Sequence, residues 1–161
     1  MDGSEYLYTV AEVSVAFVGF AAIVIAVRGD LSEGERQHVT WLVERGLAAL
    51  AFSLLPMLFH FFGAPPRRVL SLSSALLAGY LLSILARNLL IVRAGTLAKS
   101  SLSASGIALR LAMVGLMVPI QALAALGVLP FDPLGWYLFG ASWLLVLSGI
   151  LFATVLTARA A

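Results

Sequence analysis

The chain is 161 residues long, 61% hydrophobic and only 11% charged, with a formal net charge of +2 and no cysteine. Soluble domains carry about 25% charged residues, so a chain this poor in charge, at a mean hydropathy of +1.04, cannot furnish a water-facing surface. Without cysteine, disulfides, thiol redox chemistry, iron–sulfur ligation and thiolate zinc sites are excluded. The lack of any basic tract argues against nucleic acid as a partner.

The expected fold class is all-α, an integral membrane bundle of five transmembrane helices in a single domain with no soluble domain. Apolar stretches at about 6–27, 41–62, 69–92, 106–129 and 136–156 each run ~21–24 residues. At 1.5 Å per residue that crosses a hydrocarbon layer ~30 Å thick.

The first stretch follows Met1-Asp2-Gly3-Ser4-Glu5, which carries two acids and no Lys or Arg. A cleaved signal sequence needs a positive leading segment, so this stretch is expected to persist as the first span. Glu12 lies within it, about six residues or ~9 Å below the end. Glu12, Ala16, Gly19 and Ile23 share one helix face by i+4, i+7 and i+11 spacing. A charged side chain in lipid costs about 2.5–3.5 kcal/mol on insertion scales, which makes such a residue a site by default. Small neighbours let a second backbone approach closely. Two readings follow: a carboxylate lining a pore, cation site or proton relay, or a buried Glu that hydrogen-bonds a neighbouring helix and locks the bundle.

Before the second span, Ser32 and Glu35 read as a capping box. The helix is therefore expected to begin near Glu33, with Glu33, Glu35, Arg36, Gln37 and His38 in headgroups or water. Pro56 frees the Phe52 carbonyl from its helical bond. Gly63-Ala64-Pro65-Pro66 is a tight turn into the third span, which carries Ser73, Tyr80, Ser83 and Arg87 as a stripe.

In the fourth span Arg110, Val114, Met117 and Gln121 fall on one face, and Pro119 frees the Gly115 carbonyl. Gln121 sits at a depth comparable to Glu12, so the amide, the carboxylate and the freed carbonyl together suggest a small polar site; helix shape alone is the plainer account of Pro119. Leu129-Pro130-Phe131-Asp132-Pro133 ends the span, with Asp132 and Pro133 as cap and first residue of the fifth. Gly149, Ala153 and Thr157 form a small-residue ladder there, as do Ala22 and Ala26 in the first span.

Arg28, Arg36, Arg45, Arg87, Arg93, Lys99, Arg110 and Arg159 fall on one side of this layout, leaving only Arg67 and Arg68 of the 10 basic residues on the other. The positive-inside rule then puts the N-terminus outside and the C-terminus in the cytoplasm. Tyr6, Tyr8, Phe59, Phe61, Phe62, Trp136 and Tyr137 would belt the outer interface, with Trp41 at the inner one. By depth, Glu44, Arg87, Asn88 and Arg110 make an inner charge cluster. It is read either as a structural clamp with snorkelling arginines or as a gate or anionic-lipid contact.

His38 and His60 lack a second ligand at metal spacing, and neither HExxH nor Gly-x-Ser-x-Gly occurs. Acid–base catalysis needs paired titratable groups within reach of one another, and Glu12 is the only acid well inside the layer. The chain is therefore expected to be no enzyme, with no cofactor and no metal. Composition, rich in Ala, Leu and Arg, suggests a bacterial inner membrane. The expected function is a homo-oligomeric channel-like or transport protein whose polar site comprises Glu12, Gln121, Tyr80 and Ser83. An accessory or scaffold subunit of a larger membrane complex, or a small-molecule or lipid carrier, are the alternatives. The expected partners are the lipid bilayer, further copies of the chain, or other membrane subunits.

Overall fold

The computed structural model describes residues 3–28, 33–93, 104–130 and 132–157, and these form five helices. They are α1 (Gly3–Arg28), α2 (Glu33–Phe61), α3 (Pro66–Arg93), α4 (Ala104–Leu126) and α5 (Pro133–Thr157). Four hold segments long and apolar enough to cross a membrane: Ser4–Val27, Glu35–Phe61, Pro66–Arg93 and Pro133–Ala153. The corresponding stretch of α4, Leu111–Leu126, is shorter. The chain is thus all-helical and suited by length and composition to a membrane.

The helix ends follow local chemistry. Helix α2 begins at Glu33, ahead of the apolar run as expected; the Ser32 half of the predicted capping box lies outside the described residues. At its far end Gly63 takes φ +77°, and its amide donates to the His60 carbonyl at 2.9 Å. The Pro65 carbonyl then accepts from the Arg68 and Val69 amides at 2.8 and 3.0 Å. Pro66 opens α3, where a missing N–H costs nothing and its fixed φ suits the helix.

Helix α4 stops in a Schellman motif. Gly127, at φ +67°, donates to the Ala124 carbonyl at 3.1 Å, and Val128 reaches back to Leu123 at 3.2 Å. Those two bonds satisfy carbonyls the helix would otherwise leave open. The Asp132 carboxylate then accepts from the Leu134 amide at 3.3 Å, so the expected cap and first-turn pair form at α5.

The helices group into two compact units. One holds α1, α2 and α5 from Ala141 onward; the other holds α3, α4 and α5 up to Gly140. In the first unit α1 packs along α2. Gly46 allows the approach: a Cβ there would sit 2.7 Å from Val18 Cγ2 and 3.6 Å from the Ser14 carbonyl. Ala21, Val39, Leu42 and Leu151 form its core, with Trp41 and Phe152 packed against it. Phe152 meets Phe17 and Phe20 edge-on at 5.8 and 5.0 Å, a geometry worth about 0.5–1.5 kcal/mol beyond the area buried. The Tyr6 and Ser142 hydroxyls are 2.6 Å apart. In the second unit α3 packs along α4, and Ser71 donates to the Ala125 carbonyl at 2.5 Å.

Candidate functional site

In an apolar interior each buried hydroxyl needs a partner, since an unmatched one costs about 1–3 kcal/mol. Most of the buried serines solve this locally. Ser14 donates to the Val10 carbonyl at 2.6 Å, Ser53 to Ala49 at 2.7 Å and Ser148 to Leu144 at 2.9 Å. Such back-bonds to the i−4 carbonyl make a serine almost as inert as an alanine. Ser73 is different. It is fully buried, and its polar partner is the Tyr137 phenol, at a geometry looser than an ordinary hydrogen bond.

Gln121, also fully buried, is the second exception. Its Nε2 donates to the Trp136 carbonyl at 2.9 Å, while its Oε1 has no protein partner. The side chain rests against Gly140, where a Cβ would come 2.6 Å from Gln121 Cδ and 2.8 Å from Leu77 Cδ2. Leu77 stands one turn along α3 from Ser73, on the same buried face. Ser73 and Leu77 from α3, Gln121 from α4, and Trp136, Tyr137 and Gly140 from α5 therefore converge. This polar junction lies one to two turns inside the end of the second unit that carries the α4–α5 turn. The residues named bring no carboxylate, amine or imidazole, and the Tyr137 phenol is an acid that ordinarily stays neutral at pH 7, so what they can do is hydrogen-bond a neutral group.

Glu12 belongs to the first unit. The expected face of Glu12, Ala16, Gly19 and Ile23 exists, and all four residues are exposed. The opposite side of α1 carries the buried Leu7, Val10, Ala11, Ser14 and Ala21. A Cβ built at Gly19 meets nothing within 4 Å. A carboxylate beside small side chains thus lies open on α1, eight residues in from Ser4.

The other expected positions divide. Val114, Met117 and Gln121 share a buried face of α4 as their spacing predicts; the Arg110 side chain lies outside the described residues. The stripe on α3 splits: Ser73 is buried, Tyr80 half-buried, and Ser83 and Arg87 exposed. Ser83 spends its hydroxyl on the Tyr80 carbonyl at 2.7 Å. Glu44 and Asn88 are half-buried. Arg45, which sequence placed at the inner side only as a charge, is buried. Among the described residues no three His, Asp or Glu side chains gather as a metal ion would require.

Tyr137 corrects an expectation. Placed in the outer aromatic belt by sequence, it is fully buried, because it heads the stripe Tyr137, Ala141, Leu144, Ser148 and Leu151, all buried. The 4-3-4-3 spacing of that stripe is a helix-packing signal present in the sequence. Gly140 was missed because nothing in one sequence tells a glycine at a close contact from one on an open face. The chain matches no protein-family model, no curated protein and no solved structure.

Proposed function

We propose that the chain is a non-enzymatic multi-pass membrane protein that acts as a homo-oligomer, channel-like, with Glu12 facing a shared water-accessible path. In this reading it crosses a bacterial inner membrane five times, N-terminus outside and C-terminus in the cytoplasm. The carrying observation is the exposed face of Glu12, Ala16, Gly19 and Ile23. An acid turned toward acyl chains is unfavourable by about 2.5–3.5 kcal/mol on insertion scales, whereas a neighbouring subunit or water removes that cost. Small residues on the same face suit close helix approach. Copies around a closed symmetry axis would set their carboxylates in a ring, which favours cations.

Native mass spectrometry from nanodiscs and reversal-potential recordings in liposomes test this together. A ring of several 17.0 kDa copies with cation-selective conductance, reduced in selectivity by Glu12→Gln, is the expected result. A homo-oligomer whose conductance and selectivity are untouched by Glu12→Gln defeats the ring assignment. Co-purification in fixed stoichiometry with a different membrane protein, its contact weakened by the same substitution, moves the face to the accessory-subunit reading.

A further inference from the structure

We infer that Arg67 and Arg68, with the open apolar stripe that runs from them along α3, hold an anionic phospholipid. The inference rests on the membrane reading above and not on the Glu12 ring. Both arginines are exposed in the first turn of α3. That turn contains no acid, and neither arginine has an ion pair among the described residues. Cations are unfavourable at the positive end of a helix dipole, so an anion there is doubly stabilising. The protein's nearby acceptors are otherwise engaged. Ser71, one turn on from Arg67, donates to the Ala125 carbonyl and sets the end of α4 beside the start of α3. At that end the Leu123 carbonyl accepts from the Val128 amide and the Ala124 carbonyl from the Gly127 amide. The Asp132 carboxylate accepts from the Leu134 amide. Topology gives no account of the pair either, since in the proposed orientation these are the two basic residues on the outer side.

The surroundings select a lipid over a free anion. Arg68, Leu72, Leu76 and Gly79 share one face of α3 by their 4-4-3 spacing, and all four are exposed. A Cβ built at Gly79 meets nothing within 4 Å, so the stripe stays open along its length. From Arg68 to Gly79 it measures about 16 Å at 1.5 Å per residue. A cation at the head of such a stripe matches an amphiphile, with the phosphate at the arginines and an acyl chain along Leu72 and Leu76. Arginine suits the phosphate end, because its planar fork pairs two phosphate oxygens at once. Its aliphatic stem lies along apolar surface while the guanidinium reaches the headgroup level. A free phosphate would gain nothing from the two leucines.

The chain has no cysteine, so Leu76→Cys gives a single labelling point on the stripe. With a fluorophore there, full-length protein is reconstituted in phosphatidylcholine vesicles. These carry a trace of phosphatidylglycerol or of phosphatidylcholine bearing a nitroxide on its acyl chain, and quenching reports which lipid occupies the stripe. The expected result is quenching by phosphatidylglycerol at a mole fraction about 30-fold lower, a factor of about five for each arginine. Arg67→Gln with Arg68→Gln should abolish the preference, whereas Arg67→Lys with Arg68→Lys, which keeps both charges, should retain most of it. Equal quenching by the two lipids, or a preference that survives the double Gln variant, overturns the inference. Relief of the phosphatidylglycerol quenching by soluble glycerol phosphate would also overturn it, leaving a free-anion site. A label that neither lipid reaches would instead remove the membrane reading, and this inference with it.

Discussion

Serine is the residue that separates inert from consequential positions in this protein. Ser14, Ser53 and Ser148 are buried and answer their own hydrogen-bonding need within one turn; Ser71 instead reaches across to the Ala125 carbonyl and ties α3 to α4. Glycine divides in the same way. Gly46 sits where a Cβ would meet Val18 Cγ2 at 2.7 Å, closer than packed carbon atoms tolerate. Gly46→Ala should therefore destabilise the α1–α2 pair by about 1–3 kcal/mol, the usual range for overpacking. Val18→Ala in the same chain should recover part of that loss by removing the offending methyl. Melting temperatures of the two single variants and the double variant in detergent check this. An unchanged melting point for Gly46→Ala would show that the helices separate there without penalty.

At the level of elements, each helix end is set by the residues next to it. The φ of +67° at Gly127 is a conformation that an L side chain adopts only at a cost of about 1–2 kcal/mol. Gly127→Ala should lower the melting temperature accordingly, although a Cβ there would meet nothing within 4 Å. Gly79, inside α3, is a useful contrast. It too has open space around it, but it lies on an exposed helical face. Gly79→Ala should raise stability by about 0.5–1 kcal/mol through helix propensity. Equal effects of the two substitutions would mean that backbone conformation is not what distinguishes them.

For the molecule as a whole, two asymmetries set expectations. Basic residues crowd one side of the predicted layout, with Arg67 and Arg68 as the exceptions at the start of α3, where both are exposed. An odd number of crossings under that bias puts the two termini in different compartments. A reporter active only in the cytoplasm should work when fused after Ala161 and stay silent when fused before Met1. Activity at both ends would overturn the five-crossing orientation. The second asymmetry lies on α1, which buries one side and leaves Glu12 exposed on the other. Under the proposed membrane reading, an assembly that covers that face would keep the carboxylate from lipid.

The sequence by itself determined the helical class, the positions of the five helices, the Gly63–Pro66 turn and the Asp132–Pro133 start. Hydrophobic run length and capping chemistry are local, acting over one or two turns. It also placed Glu12 with its small neighbours on one face and Gln121 with Val114 and Met117 on another, because helical periodicity needs no tertiary information. Which faces are covered was decided only by tertiary structure. Composition does not show that the Glu12 face is open, that Tyr137 is buried rather than interfacial, or that Gly140 yields its space to Gln121. Burial depends on which helix lies opposite, and that choice is made by side-chain packing summed over whole helices rather than by any single residue.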